Sequence, residues 1–367
     1  MTRRKIAVLP GDGIGPEVTA AAVAVLERIG DLSGIDIRVE EALIGGAAID
    51  STGSSLPEQT LEVCRDCDAV LLGAVGGPQW DPRAEERPES GLLGLRKELG
   101  VFANLRPVKV HPAMSGHSPM KRSATQGVDI MIVRELTGGI YFGESEQHRT
   151  PTGRQASDTM TYHETEIRRV VRLAFRLARQ RRGLLTSVDK ANVLQCSRLW
   201  REVVDEVAWE FPDVRVEHRL VDACAMQLIT DAQHFDVVVT SNLFGDVLTD
   251  EAAVLSGSLG LLPSASLSNE QGYGLGLYEP IHGSAPDLAG LDVANPTAAI
   301  LSAAMLLRHS CNMPREANAV EYAVSHVLHS DVRTADVGGD FGTMAVTDAV
   351  LDVIEDRWWV THPYVGA

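Results

Sequence analysis

Two carboxylates four residues apart, Asp246 and Asp250, follow the apolar, strand-like stretch Phe235 to Val239 in the run Thr240-Ser241-Asn242-Leu243-Phe244-Gly245-Asp246-Val247-Leu248-Thr249-Asp250. On a helix they share one face, where like charges cost roughly 0.2–0.5 kcal/mol, so a bound cation is a natural reason for both to be there. Oxygen donors on one short element suit a hard divalent ion such as Mg²⁺ or Mn²⁺. Two solvated aspartates on a surface helix are the plain alternative. Asp222, in Leu220-Val221-Asp222-Ala223-Cys224, interrupts an apolar stretch and would complete a metal site or cap a helix.

Three arginines stand in distinctive contexts: Arg96 in Gly91-Leu92-Leu93-Gly94-Leu95-Arg96, Arg106 in Ala103-Asn104-Leu105-Arg106-Pro107, and Arg134 in Val133-Arg134-Glu135-Leu136-Thr137-Gly138-Gly139. Arginine is the side chain for bidentate carboxylate binding, and surface ion pairing is its commoner use. Arg134 directly follows an apolar strand, and strand ends in α/β sheets are where ligands gather. Tyr141 follows the Gly138-Gly139 turn, and Lys190 lies in Ser187-Val188-Asp189-Lys190-Ala191-Asn192-Val193, past the strand-like Gly183 to Val188. They can serve as acid and base if burial and neighbouring cations pull their pKa values toward neutrality.

Gly11-Asp12-Gly13-Ile14-Gly15-Pro16-Glu17 follows the first strand and opens a helix. Pro16 and Glu17 come directly after the third glycine, so the motif predicts a tight turn that lets backbone and cofactor approach, not a pyrophosphate grip. Glu279-Pro280-Ile281-His282-Gly283-Ser284-Ala285-Pro286-Asp287, with the later Asn295-Pro296, reads as a loop able to wrap an adenosine. Asp287 would accept from ribose hydroxyls and repel a 2′-phosphate.

The elements that must position these residues alternate in type. Ile6 to Leu9, Ile35 to Val39 and Ala69 to Leu72 read as strands, with helical patterns at Glu17 to Ile29 and Pro57 to Arg65, so the first hundred residues predict an α/β unit with parallel strands. Gly76 to Gly91 is polar and reads as a loop. Ile130 to Val133 predicts a further strand; His163 to Arg182, Pro296 to Leu307 and Asp348 to Arg357 predict helices.

At 367 residues two domains are expected. A formal charge of −17 argues against nucleic-acid or anionic-membrane surfaces, and no apolar run reaches a membrane span. Met1-Thr2-Arg3-Arg4-Lys5 leads straight into a strand, so a cytoplasmic location is expected. The five scattered cysteines form no disulfide framework, and Cys64-Arg65-Asp66-Cys67 predicts structural thiols over redox or metal duty.

Taken in order, these motifs resemble the metal-dependent decarboxylating dehydrogenases of the isocitrate/isopropylmalate dehydrogenase family, over Ile6 to about Met344. The resemblance implies a non-Rossmann, two-domain α/β homodimer, with the active site in the interdomain cleft and shared across subunits. It places a discontinuous cofactor-binding domain at 1–102 plus 261–367 and a central domain with the dimer interface at 103–260. It implies NAD-dependent oxidative decarboxylation of the small molecule 3-isopropylmalate, in leucine biosynthesis. Arg96, Arg106 and Arg134 would then hold the substrate carboxylates, and Asp246 and Asp250 the metal with Asp222 of the partner subunit, which also borders substrate. Lys190, lent across the interface with its pKa depressed by metal and arginines, and Tyr141 would be base and acid. The cofactor would meet Ile14, Gly76, Gly77 and Glu89, and His282, Gly283, Ser284, Ala285, Asp287 and Asn295, within segments Gly76 to Glu89 and Gly283 to Asn295. Leu92 and Leu93, with Val193, would form an apolar wall for a branched alkyl group, Glu89 closing its rim beside the nicotinamide. Relatives acting on malate, tartrate, isocitrate or homoisocitrate share the charged set, and a catalytically silent interaction protein could share the fold.

Overall fold

A computed structural model describes residues 3–80, 84 and 86–361. Met1 and Thr2 lie outside the described residues, as do positions 81–83 and 85 of the expected cofactor segment. The chain divides into two compact units: residues 1–101, 111–119 and 256–367 form the first, and residues 102–110 and 120–255 the second.

In chain order the first unit opens with β1 (Arg3–Gly11), α1 (Gly15–Ser33), β2 (Asp36–Glu41), α2 (Gly45–Thr52), α3 (Glu58–Arg65), β3 (Ala69–Ala74) and α4 (Pro88–Glu98). The second unit follows with β4 (Ala103–Lys109), α5 (Arg122–Thr125), β5 (Asp129–Glu135), β6 (Ser145–Thr150), β7 (Gly153–Asp158), α6 (Glu164–Gln180), β8 (Leu184–Asp189), α7 (Gln195–Ala208), β9 (Arg215–Leu220), α8 (Val221–Thr230), β10 (Val237–Thr240) and α9 (Asn242–Ser256). The chain then returns to the first unit with β11 (Pro263–Leu267), β12 (Gly276–Pro280), α10 (Thr297–His309), α11 (Pro314–His329) and α12 (Thr343–Thr361).

Strand order in the first unit is β2-β1-β3-β12-β11. β1 pairs in parallel with β2 and β3, and β3 with β12, whereas β11 and β12 are antiparallel. Parallel strands need a crossover of a dozen or more residues, and segment 268–275 is too short to supply one. β3 is buried along its whole length, as a strand covered on both faces must be. α1 shows why the predicted helices form. Pro16 and Glu17 sit in its first turn, Val18, Ala21, Ala22, Val25, Leu26 and Ile29 make one buried stripe, and Gly34 closes it in the left-handed conformation at φ 70°.

The second unit orders its strands β4-β5-β10-β8-β9, with β4 and β5 antiparallel and the rest parallel. Its core includes Val108, Ile130, Ile132, Val188, Cys224, Leu228, Phe235, Val238 and Leu248. Full burial of each large side chain contributes about 1.5–3 kcal/mol. That core anchors β5, β8 and β10 beneath the residues that follow them.

Several local readings change. The expected loop Gly76 to Gly91 ends early, because Pro88 at the helix start and Glu89 in the first turn begin α4. The hairpin β6–β7 had no apolar alternation to reveal it, since its residues are almost all exposed. Burial pushes Cys64 up to about 12 and Cys67 up to about 11, which keeps both as thiols and suits the structural role. Among the described residues no helix is long and apolar enough to cross a membrane.

Candidate active site

In the second unit the pairing register gathers the charged residues. Asn104 on β4 lies opposite Arg134 on β5, and Thr240 at the end of β10 lies beside Arg134 on the other side. Arg106, two residues from Asn104, shares its face, and its Nε donates to Asn104 Oδ1 at 2.7 Å. Arg134 is 3 % exposed. Its Nε and Nη2 donate to Asn242 Oδ1 at 3.1 and 2.9 Å, and its Nη1 makes a short ion pair with Asp246. Arg106 Nη1 donates to Thr249 Oγ1 at 2.6 Å, while its head stands 3.8 Å from Asp246 and 3.7 Å from Asp250. Gly245 is required here, because a Cβ would lie 2.6 Å from Arg134 Cγ.

Asp246 and Asp250 both lie on α9, one turn apart. A cation is not the sole possible counter-charge for the two carboxylates, because Arg106 and Arg134 already supply positive charge to the pair. What still fits a hard cation is the donor set itself. Asp250 keeps a side chain that is 69 % exposed, which leaves its carboxylate oxygens accessible to a hard cation. Two carboxylates are too few for a closed site. Among the described residues no three His, Cys, Asp or Glu side chains converge to hold a metal.

Tyr141 is 41 % exposed, and its hydroxyl donates to Asp246 Oδ2 at 2.8 Å. The Arg134 guanidinium lies 5.7 Å from its ring centroid. The Tyr141 pKa is not drawn toward neutrality. Partial burial and the Asp246 carboxylate raise it and outweigh Arg134, which keeps the phenol protonated and suits it to donate rather than accept.

Lys190 and Asp222 form a second pair. Lys190 follows β8, where Asp189 fixes the turn by accepting from Ala191 N at 2.8 Å and pairing with Arg201, also at 2.8 Å. Lys190 Nζ donates to Asp222 in a short ion pair that holds the Asp222 carboxyl below its usual range. Asp222 sits in the first turn of α8 without capping it; Leu220 occupies the cap position. Val193 is 62 % exposed.

In the first unit Arg96 is buried on α4 and its Nη2 donates to Glu279 Oε1 at 2.8 Å. Its Nε is buried and makes no hydrogen bond, leaving a donor for an anionic ligand. Leu92 and Leu93, on the preceding turn, are half-buried. The three-glycine turn is packed against protein. A Cβ on Gly11 would lie 1.9 Å from Ala74 O, on Gly13 1.9 Å from Ser284 O, and on Gly15 2.1 Å from Pro10 O. Ile14 is buried, and its N–H donates to Ser284 O at 2.8 Å, so that amide is already engaged. Asp12 locks the turn from the other side, accepting from Gly46 N, Ala47 N and Gly76 N at 2.9, 2.8 and 2.8 Å. Gly76, at φ 111°, takes a conformation that L side chains rarely adopt, and the exposed Glu89 carboxylate lies close by.

The loop after β12 holds a polar atom in reserve. His282 Nδ1 faces Gly283 O at 2.9 Å, which fixes Nδ1 as donor and Nε2 as acceptor. Burial lowers the His282 pKa and keeps the ring neutral, while Nε2 is buried without a partner. Gly283 has open space on its Cβ side, and Ala285 adopts a left-handed conformation at φ 37°. Asn295 is buried, its Nδ2 donating to Asp336 Oδ2 at 3.0 Å and its Oδ1 accepting from Thr297 N at 3.0 Å. Asp287 and Gly283 are exposed, and Ser284 is buried. Gly77 packs against Gln79 and Trp80. An unpartnered acceptor beside open backbone fits the amino group and planar face of an adenine.

Asn104, Asn242 and Thr249 support the charged residues of the second unit, and Glu279 and Asp12 support Arg96 and the glycine turn of the first; none of the five is a candidate on sequence alone. Asn242 precedes Asp246 by four residues on a predicted helix, so its shared face could have been noticed. The long-range partners had no local signal.

The pattern of the isocitrate/isopropylmalate dehydrogenase family matches residues 5–354. The 3-isopropylmalate dehydrogenase of Anaeromyxobacter dehalogenans is 56 % identical over 349 residues, covering 95 % of this chain and 98 % of the relative. That of Bacillus subtilis is 56 % identical over 358 residues, covering 96 % and 97 %. Among solved structures, the isocitrate dehydrogenase of Methylococcus capsulatus superposes with a TM-score of 0.84 at 35 % identity, covering 96 % of this chain and 99 % of that one. A β-decarboxylating dehydrogenase of Thermococcus kodakarensis superposes with a TM-score of 0.80 at 35 % identity over the full length of both chains.

Proposed function

The chain belongs to the isocitrate/isopropylmalate dehydrogenase family, and from that membership we propose that it oxidises and decarboxylates 3-isopropylmalate to 4-methyl-2-oxopentanoate with NAD⁺ and a divalent metal, as a step of leucine biosynthesis. The observation that carries this reading is the 56 % identity, along nearly the whole of both chains, to relatives named for that activity.

In this reading Arg96, Arg106 and Arg134 bind the two substrate carboxylates, Arg134 being held ready by Asn242. Asp246 and Asp250 hold Mg²⁺ or Mn²⁺ with Asp222 of the partner subunit. When bound, the ion supplies Lewis-acid stabilisation of negative charge developing on the substrate, and the nicotinamide supplies the hydride acceptor. Lys190 accepts the proton of the C2 hydroxyl, and the protonated Tyr141 returns a proton to C3 after CO₂ has left. The first unit carries the cofactor through Ile14, Gly76, Gly77, Glu89 and the loop from His282 to Asn295.

A homodimer is part of the same reading. Lys190 and Asp222 pair with each other and do not join the Asp246 and Asp250 carboxylates in a three-ligand group. Their use therefore calls for a second copy. Met226 and Ile229 on α8 and Val247 and Val254 on α9 are exposed apolar residues, a surface of the kind that subunits cover. The cysteines are all free, which suits a reducing, cytoplasmic setting.

The substrate assignment is tested by comparing catalytic efficiencies for 3-isopropylmalate, malate, tartrate, isocitrate and homoisocitrate. Burial of an isopropyl group against Leu92 and Leu93 contributes about 1.5–3 kcal/mol, whereas a third carboxylate without a partner would cost several. We expect 3-isopropylmalate to lead, and Leu92→Ser to lower its efficiency roughly tenfold while changing malate oxidation less. Preference for any of the other four acids would refute the assignment. Cofactor choice follows from Asp287, since no Lys, Arg or His lies between Ala285 and Asn295 to meet a 2′-phosphate. NAD⁺ should exceed NADP⁺ in catalytic efficiency by at least about tenfold, or 1.4 kcal/mol. Equal efficiencies would overturn that expectation.

A further inference from the structure

Ser241 immediately precedes α9 and is of a type that ordinarily caps a helix, yet its buried Oγ makes no hydrogen bond. Tyr162, 6 % exposed in the segment between β7 and α6, takes over that duty. Asn242 N, the first N–H of α9, donates to the Tyr162 hydroxyl oxygen at 2.9 Å. Burial, with the charge of the nearby Glu135 carboxylate, raises the pKa of the same hydroxyl and keeps it protonated. Glu135 in turn accepts from Thr137 N at 2.7 Å, Thr137 Oγ1 at 2.6 Å and Gly138 N at 2.9 Å. The Tyr162 ring also fills the space that side chains at 138 and 139 would need. A Cβ on Gly138 would lie 2.7 Å from its Cε1, and one on Gly139 2.6 Å from its hydroxyl. Trp200 backs the ring edge-on at 5.9 Å and is itself fixed by donating to Ser187 Oγ at 3.2 Å.

One phenol hydroxyl thus joins two pieces of the site. The Gly138-Gly139 turn leads to Tyr141, and the first turn of α9 carries Asn242, which grips Arg134, and leads to Asp246 and Asp250. Asn242 closes the loop by donating from Nδ2 to Gly138 O at 3.1 Å. We propose that Tyr162 is a positioning residue whose hydroxyl holds α9 and the Tyr141 turn in register, and so sets both the metal affinity of Asp246 and Asp250 and the reach of Tyr141 to the substrate. This inference rests on the function proposed above.

The test compares full-length wild type with Tyr162→Phe, which keeps the ring and deletes the hydroxyl. Mn²⁺ binding is titrated by the electron paramagnetic resonance signal of free Mn²⁺, with 3-isopropylmalate present and NAD⁺ absent. NAD⁺ binding, kcat and KM are measured separately. Loss of a group that orients metal ligands typically weakens the metal or the reaction roughly 10- to 100-fold, and we expect both effects here: a raised Mn²⁺ dissociation constant, and a kcat that stays depressed at saturating Mn²⁺. NAD⁺ binding should not change. A variant with unchanged Mn²⁺ affinity and unchanged kcat overturns the inference, even if its Tm has fallen, because a merely structural role would lower Tm alone. Should Tyr162→Phe fail to fold, Glu135→Gln, which removes the charge facing the hydroxyl, is expected to shift the Mn²⁺ constant in the same direction, and no shift overturns the inference. Wild type that neither oxidises 3-isopropylmalate nor binds Mn²⁺ overturns the proposed function as well, so the two failures are read on different proteins.

Discussion

Lys190→Ala is expected to lower kcat by roughly 10²–10⁴-fold, the usual contribution of a positioned acid or base. The loss should fall on the oxidation step, since the C2 hydroxyl proton must leave as hydride departs. Single-turnover NADH formation is therefore the measurement, and a wild-type burst of NADH from the variant would remove Lys190 from that role. The fold should survive, because Lys190 lies at a turn secured by Asp189 and its head pairs with the exposed Asp222. Mixed with an inactive Asp246→Asn subunit, the Lys190→Ala subunit should recover part of the activity if each copy lends its lysine to the other.

Asp246→Asn should produce an equally large loss with a different signature. Asp246 pairs with Arg134 and Arg106 and accepts from the Tyr141 hydroxyl, so one substitution disturbs the two proposed carboxylate-binding groups, the proposed acid and the proposed metal site together. Stripping the partner from a fully buried ion pair costs about 3–5 kcal/mol, but Asp246 is about a third exposed and Arg134 keeps Asn242, so about 1–2 kcal/mol of unfolding free energy is expected. Activity should drop more than about a hundredfold and return only partly at high Mn²⁺. Denaturant unfolding and a Mn²⁺ titration of turnover check the two parts. Full wild-type activity in excess chelator, with metal removal verified, would reject the metal role.

Much of this site was legible because its residues lie within short segments whose spacing carries meaning. Asp246 and Asp250 share a helix face as four-residue spacing requires, and Arg134, read as directly following the apolar run Ile130 to Val133, is the next-to-last residue of β5. The pieces that escaped notice depend on pairings across long stretches of chain. Nothing local in Glu279 announces that Arg96, 183 residues away, will donate to it, and nothing local in Arg106 announces Thr249. Nothing local in Tyr141 announces that its hydroxyl will donate to Asp246, 105 residues away. The hairpin β6–β7 was invisible for another cause, since a hairpin exposed on both faces leaves no apolar period to read.

The crowding at the three-glycine turn limits how this protein could be redesigned. Gly11, Gly13 and Gly15 have neighbouring backbone atoms where any side chain would begin, and Asp12 already bonds three amides. A longer glycine loop cannot be grafted there to grip a different dinucleotide without displacing Ala74 and Ser284. Asp287, exposed in a loop where Gly283 has free space, carries no such constraint. Engineering toward a phosphorylated cofactor would have to start from that side, by exchanging the acid for a small residue and adding a cation nearby.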